Sequence, residues 1–384
     1  MRWQVRLNGG KSSMREILKQ SADPSICKPL LAAVQEKAKQ FQSKFGHKPA
    51  FMEVCGSHTM SLARSGVKKS LLEDVDLVSG PGCPVCVTDQ QSIDAMIALA
   101  EDDSRIICTF GDMMRVPGSK QSLMDAKIKG KDIRVLYSPI DAIKVAQENP
   151  DKEVIFLGIG FETTIPLIAV IVSEAERNNL DNFSVWMTTK LVEPILRYLL
   201  DTKEVNIDGF ILPGHVSIVL GKDSYQYLIN DYHVPGVITG FEPAEMISAL
   251  YKIIDSLVND EIEIINNYPS VVTNEGNVQA QFWLNKYFME CDEAWRGIGI
   301  IPKSGLDFKP EYNKFNAKKR FSVSLEEPRK TKCRCGEVIR GLITSDACPL
   351  FAKACHPLNP IGPCMVSNEG SCAAHYQYMR EIGE

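Results

Sequence analysis

The sequence predicts an α/β protein, with two similar parallel-sheet α/β domains around a cleft and a cysteine-rich C-terminal region. Three observations predict this. Short apolar runs, each ended by a Gly- or Pro-rich turn, alternate with amphipathic helical segments, the grammar of parallel sheets. The 384 residues, 44% hydrophobic and 24% charged, suit two or three domains with sizeable cores and exclude a disordered or fibrous class. Six of the twelve cysteines fall after residue 330.

The apolar runs follow in order. Ser104 to Phe110 precedes Gly111-Asp112, and Glu153 to Leu157 precedes Gly158. Gly209 to Leu212 precedes Pro213-Gly214-His215, and Gly236 to Ile238 precedes Thr239-Gly240-Phe241-Glu242-Pro243. In such folds polar residues just past the strands face the binding crevice. Val154 to Ser173 carries only Glu162 as a charge, yet it reads as two elements rather than a membrane span. Val154 to Leu157 is a strand, Gly158-Ile159-Gly160 breaks it, and Thr163 with Pro166 starts a helix running through Val172. From Glu261 to Pro328 periodicity is weak, with loops expected at Trp295-Arg296-Gly297 and Pro302-Lys303-Ser304-Gly305. The expected domains are 1–135, 136–255 and 256–384.

A net charge of -5 gives no footprint for nucleic acid, and Lys318-Lys319-Arg320 and Arg329-Lys330 read as solvated faces. Met1 to Ser13 has no continuous apolar stretch, so no secretory signal is expected and the chain is assigned to the cytoplasm. Disulfides rarely persist there, and thiols are kept for metal or redox work. Cys27, Cys108 and Cys291 stand alone and read as buried small hydrophobes.

Two constellations carry chemistry. In Glu53-Val54-Cys55-Gly56-Ser57-His58-Thr59 a thiol and an imidazole lie three positions apart, a thiolate being both a soft ligand and a nucleophile. The alternative is a buried cysteine beside a satisfied core histidine. Gly80-Pro81-Gly82-Cys83-Pro84-Val85-Cys86 sets two thiols in a turn, able to close a disulfide or bind one metal ion. A site of Cys55, Cys83 and Cys86, with or without His58, leaves a position open for substrate. The tail holds Cys333, Cys335, Cys348, Cys355, Cys364 and Cys372. Cys333, Cys348, Cys355 and Cys372 supply the four thiolates of a [4Fe-4S] cluster, with Cys335 a rival first ligand and zinc the competing metal. Cys364, beside Gly362-Pro363, reads as a structural or redox-accessory thiol in a turn.

These motifs resemble the HypD family of maturation factors for [NiFe] hydrogenases. The resemblance rests on Glu53 to Thr59, Gly80 to Thr88, Phe110 to Gly118 and Gly158 to Thr164. It continues through Leu212 to Ser217, Gly240-Phe241-Glu242-Pro243, Trp295-Arg296-Gly297 and the tail from Cys333 to Tyr378. It implies an α/β fold with a C-terminal iron-sulfur cluster-binding region, and a scaffold on which the Fe(CN)2CO unit is assembled. The implied partners are HypC and HypE, the latter supplied with cyanide by HypF. Carried over by residue, Cys55, Cys83 and Cys86 are the iron-site cysteines, and His58 and Glu369 are nearby polar groups. Cys333, Cys348, Cys355 and Cys372 are the cluster ligands. Met60 stands where some members have a second histidine.

Within that reading Cys55 anchors iron, and Cys83 and Cys86 cycle between dithiol and disulfide or ligate iron. His215 follows a strand end and is expected to carry a proton or donate a hydrogen bond near cyanide. Glu162 is either a crevice residue or, with Thr163 and Thr164, a cap on the following helix. Asp112 and Arg115 face a partner or pair locally. A thiol–disulfide oxidoreductase without iron cargo is the rival function.

Overall fold

The computed structural model describes residues 5–7, 10–12, 21–325, 327–328 and 331–380. The described chain divides into two compact units, one from Met1–Gly80, Asn206–Gly276 and Gln377–Glu384, the other from Pro81–Val205 and Asn277–Tyr376. Each is built from separated stretches, because the chain leaves the first unit after Gly80, returns to it at Asn206 and leaves it again after Gly276. The three-way division along the chain stands beside this one as a proposal.

In the first unit, β1 (Val5–Leu7) and β2 (Gly10–Ser12) form an antiparallel pair. Its main sheet is parallel, and its strands are β3 (Ala50–Glu53), β4 (Asp76–Ser79), β9 (Gly209–Pro213), β10 (Gly236–Thr239) and β11 (Ile264–Asn266). They lie in the order β11-β10-β9-β3-β4. Helices Pro24–Phe45 and Pro243–Val258 pack together over this sheet, burying Val34, Phe41, Phe51, Leu62, Ile247 and Ile253. Each such side chain contributes about 1.5–3 kcal/mol on leaving water. The first helix is set at both ends: Asp23 accepts from Ser25 N (2.8 Å), and Gly46, at φ 79°, returns its N–H to Gln42 O.

The second unit holds the parallel sheet β6-β5-β7-β8, from β5 (Arg105–Thr109), β6 (Ile133–Val135), β7 (Glu153–Gly160) and β8 (Phe183–Thr189). All seven residues of β8 are buried, as expected of a strand covered on both faces. The antiparallel ribbon β12 (Phe288–Trp295) and β13 (Gly299–Phe308) packs on β8 and on helix Val192–Thr202.

Several expectations change. Gly158 and Gly160 do not break the strand, since pairing continues to Gly160 opposite Thr189. A Cβ at Gly158 would come within 2.9 Å of Val185 Cγ1, so glycine there permits close packing. The following helix runs Ile165–Arg177, starting later and ending later than expected. Pro302 to Gly305 lies inside β13, not in a loop. Of the basic stretch only Lys319 is exposed: Lys318 pairs with Glu293, and Arg320 with Glu153 at 2.8 Å. Arg329-Lys330 lies outside the described residues, as does most of Met1 to Ser13. Cys108 is fully buried, its thiol pushed up to about 12 by burial, whereas Cys27 and Cys291 are half-buried. No described helix is long and apolar enough to cross a membrane.

Candidate functional site

Strand order locates the crevice in each sheet. From β3 the first sheet grows one way to β4, and from β9 the other way to β10 and β11. Its switch point therefore lies beyond the carboxyl ends of β3 and β9, where ligands bind in such sheets. Cys55 and His58 follow β3, and His215 follows β9. The same logic puts the second unit's switch point between β5 and β7, after which come Asp112 and Glu162.

Cys55 is the N-cap residue of helix Gly56–Arg64, its carbonyl receiving the N–H groups of His58 (3.0 Å) and Thr59 (3.1 Å). The half-buried thiol and the imidazole of His58 thus occupy the N-cap and N3 positions of one helix start. His58 is fully buried and donates from Nε2 to Gly240 O at 3.0 Å. Burial holds its imidazole down at about 4, against the opposing Gly240 hydrogen bond, so the ring is neutral. Its Nδ1, a lone-pair acceptor in this tautomer, has no hydrogen-bond partner among the described residues. Phe241 stacks on both His58 (4.7 Å) and the exposed ring of His215 (4.1 Å). Glu53, buried at the end of β3, accepts from Ser79 Oγ (2.7 Å) and Lys68 Nζ (3.1 Å). Phe241, Lys68, Ser79 and the Gly240 carbonyl are the members of this region that sequence reading missed. Only the Gly240-Phe241-Glu242-Pro243 turn gave a local signal.

In the second unit Cys83 and Cys86 are joined as a disulfide across the one-turn helix Pro84–Val87. Pro84 at the first helical position suits this turn, and Cys86 N donates to Cys83 Sγ at 3.2 Å. The turn packs against helix Cys335–Ile339 and the 3-10 turn Pro363–Met365, both of which carry cysteines.

All six tail cysteines, Cys333, Cys335, Cys348, Cys355, Cys364 and Cys372, line one small cavity with Phe351, Gly362 and Met365. Cys335 and Cys364, left outside the expected four, belong to it fully, their sulfurs 2.8 Å apart. Hydrogen bonding with the Cys333 and Cys364 sulfurs holds Cys335 well below the ordinary thiol range, and Arg296's charge adds to this. The same contacts push Cys333 and Cys364 up. Glu369 is half-buried in the turn before helix Ser371–Ala374, which carries Cys372.

The donor chemistry here fits an iron-sulfur group. Thiolates are its usual ligands, and a Cβ at Gly362 would come within 2.6 Å of Cys333 Sγ, so glycine keeps the wall open beside a donor. Among the described residues no three His, Cys, Asp or Glu side chains are gathered to hold a single metal ion.

Glu162 caps a helix, though not the one expected: its Oε1 accepts from Val192 N at 2.8 Å, at the start of helix Val192–Thr202. Thr164 is the N-cap residue of the following helix but makes no side-chain cap bond. Its side chain instead packs against Gly160. Burial raises the Glu162 carboxyl to about 7, and its Oε2 has no hydrogen-bond partner among the described residues. Asp112 and Arg115 are exposed in the turn Gly111–Arg115. Nearby, fully buried Lys190 pairs with Glu293 at 3.1 Å, burial lowering its ammonium against that pairing.

Two parallel sheets, a Cys-x-x-Cys disulfide and a six-cysteine cavity define an α/β thiol protein with a cysteine-lined centre. The family model HypD, described as the hydrogenase formation hypA family, matches residues 25–379, and the chain belongs to that family. It is 39% identical over 366 residues to the hydrogenase maturation factor HypD of Escherichia coli (strain K12), covering 94% of this chain and 97% of that protein. It is 41% identical over 367 residues to the hydrogenase maturation factor HypD of Cupriavidus necator, covering 93% and 96%. A putative hydrogenase expression/formation protein of Methanocaldococcus jannaschii is 39% identical over 330 residues, covering 86% and 92%.

Proposed function

We propose that this chain is a hydrogenase maturation factor, a scaffold on which the Fe(CN)2CO unit of a [NiFe] hydrogenase is assembled together with HypC, with cyanide arriving through HypE and HypF. The observation that carries this reading is the near full-length match to maturation factors, in a chain whose Cys83–Cys86 turn packs on a cysteine-lined cavity. The Cys55 thiolate binds the iron, which is cargo, and HypC completes its coordination. His58, held neutral, offers Nδ1 as a proton acceptor at the same helix start. His215 and Glu369 supply polar contacts to the bound ligands, and Glu162 is a proton-carrying group.

Cys83 and Cys86 take up two electrons and two protons on opening to the dithiol and return them on closing. In the dithiol state they are also ligands available to iron. Cys333, Cys348, Cys355 and Cys372 hold a [4Fe-4S] cluster, with Cys335 and Cys364 as thiols beside it. When bound, that cluster would supply electrons one at a time. The chain acts in the cytoplasm, without nucleic acid or membrane.

Infrared spectroscopy on anaerobically purified protein with HypC tests this. Cyanide and carbonyl bands are expected. Iron present without those bands would sink the scaffold reading. In Cys55→Ala the bands vanish while the iron-sulfur absorption persists. The packing of the disulfide on the sulfur centre also favours a second reading, a thiol–disulfide oxidoreductase without iron cargo. That reading predicts disulfide turnover untouched by Cys55→Ala.

A further inference from the structure

Successive side chains of β8 alternate between the two faces of its sheet, and the faces differ in kind. Phe183, Val185 and Met187 share one face, which is apolar and close-packed: a Cβ at Gly158 would meet Val185 Cγ1 at 2.9 Å, and Ile168 Cδ1 and Met187 Sδ at 3.2 Å. Ser184, Trp186 and Thr188 share the other. Lys190 continues it, because its backbone N–H extends the pairing to Gly160 O at 2.9 Å. All four of these side chains are buried, and Ser184 Oγ, Trp186 Nε1 and Thr188 Oγ1 have no hydrogen-bond partner among the described residues. Lys190 Nζ pairs with Glu293 Oε1 at 3.1 Å, which leaves at least two of its three N–H groups without an acceptor among them.

Buried polar groups are ordinarily hydrogen-bonded, to protein or to internal water. Along one strand face these groups recur about every 7 Å, a gap that one or two bridging waters span at about 2.8 Å per hydrogen bond. Indole and ammonium only donate whereas the hydroxyls donate and accept, so whatever links them must do both, as water does. The neighbouring strand confines the stripe, since Leu157 and Ile159, paired with Trp186 and Thr188, are apolar and buried. At its inner end the stripe meets the segment that follows the Cys83–Cys86 turn. Lys190 Nζ lies 5.8 Å from the centre of the Trp295 ring, and Trp295 pairs with Thr88. Arg296 holds that pairing, donating from Nε to Thr88 O at 2.8 Å and from Nη1 to Gln90 Oε1 at 3.1 Å. The turn Pro84–Val87 itself packs on β7, and both of its cysteines are buried.

We propose that the polar face of β8 binds a file of internal water molecules, and that this file delivers the protons consumed when the Cys83–Cys86 disulfide opens. Opening breaks the S–S bond, takes up two electrons and two protons, and leaves two thiols. Ser184, Trp186 and Thr188 hold the file, and Lys190, anchored by Glu293, positions its inner end. The inference rests on the reading of Cys83 and Cys86 as a redox pair.

The test compares Thr188→Val, which keeps the shape of the side chain and removes its hydroxyl, with Thr188→Ser, which keeps the hydroxyl. Iron-loaded protein is reduced anaerobically with dithionite, which supplies the electrons and is oxidised to sulfite. Thiol appearance at Cys83 and Cys86 is followed by alkylation and mass spectrometry. Thr188→Val is expected to slow opening at least about fivefold, and Thr188→Ser to stay within about twofold of wild type. A wild-type rate in Thr188→Val overturns the proposal, and so does equal slowing in both variants, which would mark a packing effect. Denaturant unfolding adds an independent readout. Removing a hydroxyl from a dry stripe relieves an unsatisfied group and raises the midpoint, whereas removing one that holds water lowers it; a raised midpoint overturns the proposal. If Thr188→Val does not fold, Ser184→Ala gives the same decision, with slowing of at least about threefold expected and a wild-type rate overturning. A wild-type disulfide that does not open at all sinks the redox-pair reading and this proposal with it, whereas variants that open as fast as wild type sink this proposal alone.

Discussion

His58, after β3, and Glu162, after β7, hold corresponding places in two separate parallel sheets, and burial acts on them in opposite directions. It holds the imidazole down at about 4 and the carboxyl up at about 7, because in each case the charged form loses hydration. Each has one nitrogen or oxygen tied to backbone, at Gly240 O or Val192 N, and one with no hydrogen-bond partner among the described residues. The difference teaches that burial without an opposite charge alongside selects the neutral form, for the imidazole as for the carboxyl. One sheet thereby holds a proton acceptor and the other a carboxyl that titrates near neutrality.

Linkage makes the comparison measurable. A raised carboxyl contributes stability that is complete below the unfolded value of 4.5 and lost as pH climbs through about 7. A lowered imidazole contributes stability present above 6.5 and lost as pH falls through about 4. The largest effect belongs to Glu162→Gln, which should remove about 3 kcal/mol of pH dependence between pH 4.5 and 8. Denaturant unfolding at a series of pH values reads this, and a variant that keeps the wild-type slope would refute the burial argument.

His58→Gln comes next. The wild type should lose about 2 kcal/mol relative to the variant between pH 6.5 and 5, judged as a difference so that carboxylates common to both cancel. Equal acid profiles would mean that His58 is protonated or exposed in solution. The smallest effect is Phe241→Leu, at about 1 kcal/mol from the loss of ring stacking. It should move the imidazole resonances of His58 and His215 in NMR titrations and leave the Glu162 window unchanged. A change in that window would deny the independence of the two sites.

How much of this was legible depended on range. Ser104 to Phe110, Gly209 to Leu212 and Gly236 to Ile238 emerged as strands because a strand buried on both faces is one continuous apolar run. The ribbon β12–β13 escaped, since it presents mixed faces and a register shift between Cys291 and Glu293 interrupts its alternation. The Cys-x-x-Cys motif offered a disulfide as one of two readings, but nothing local announced Arg296, whose partners lie more than 200 residues earlier in the chain.

The sequence by itself determined where thiols, turn glycines and buried strands occur, because spacing and residue type suffice for chemistry within a few residues. Tertiary structure alone decided that Glu162 caps the helix at Val192, that His58 donates to Gly240 and that Cys364 joins the sulfur cavity. Burial and pairing are sums over neighbours brought from far along the chain, and no local window contains them.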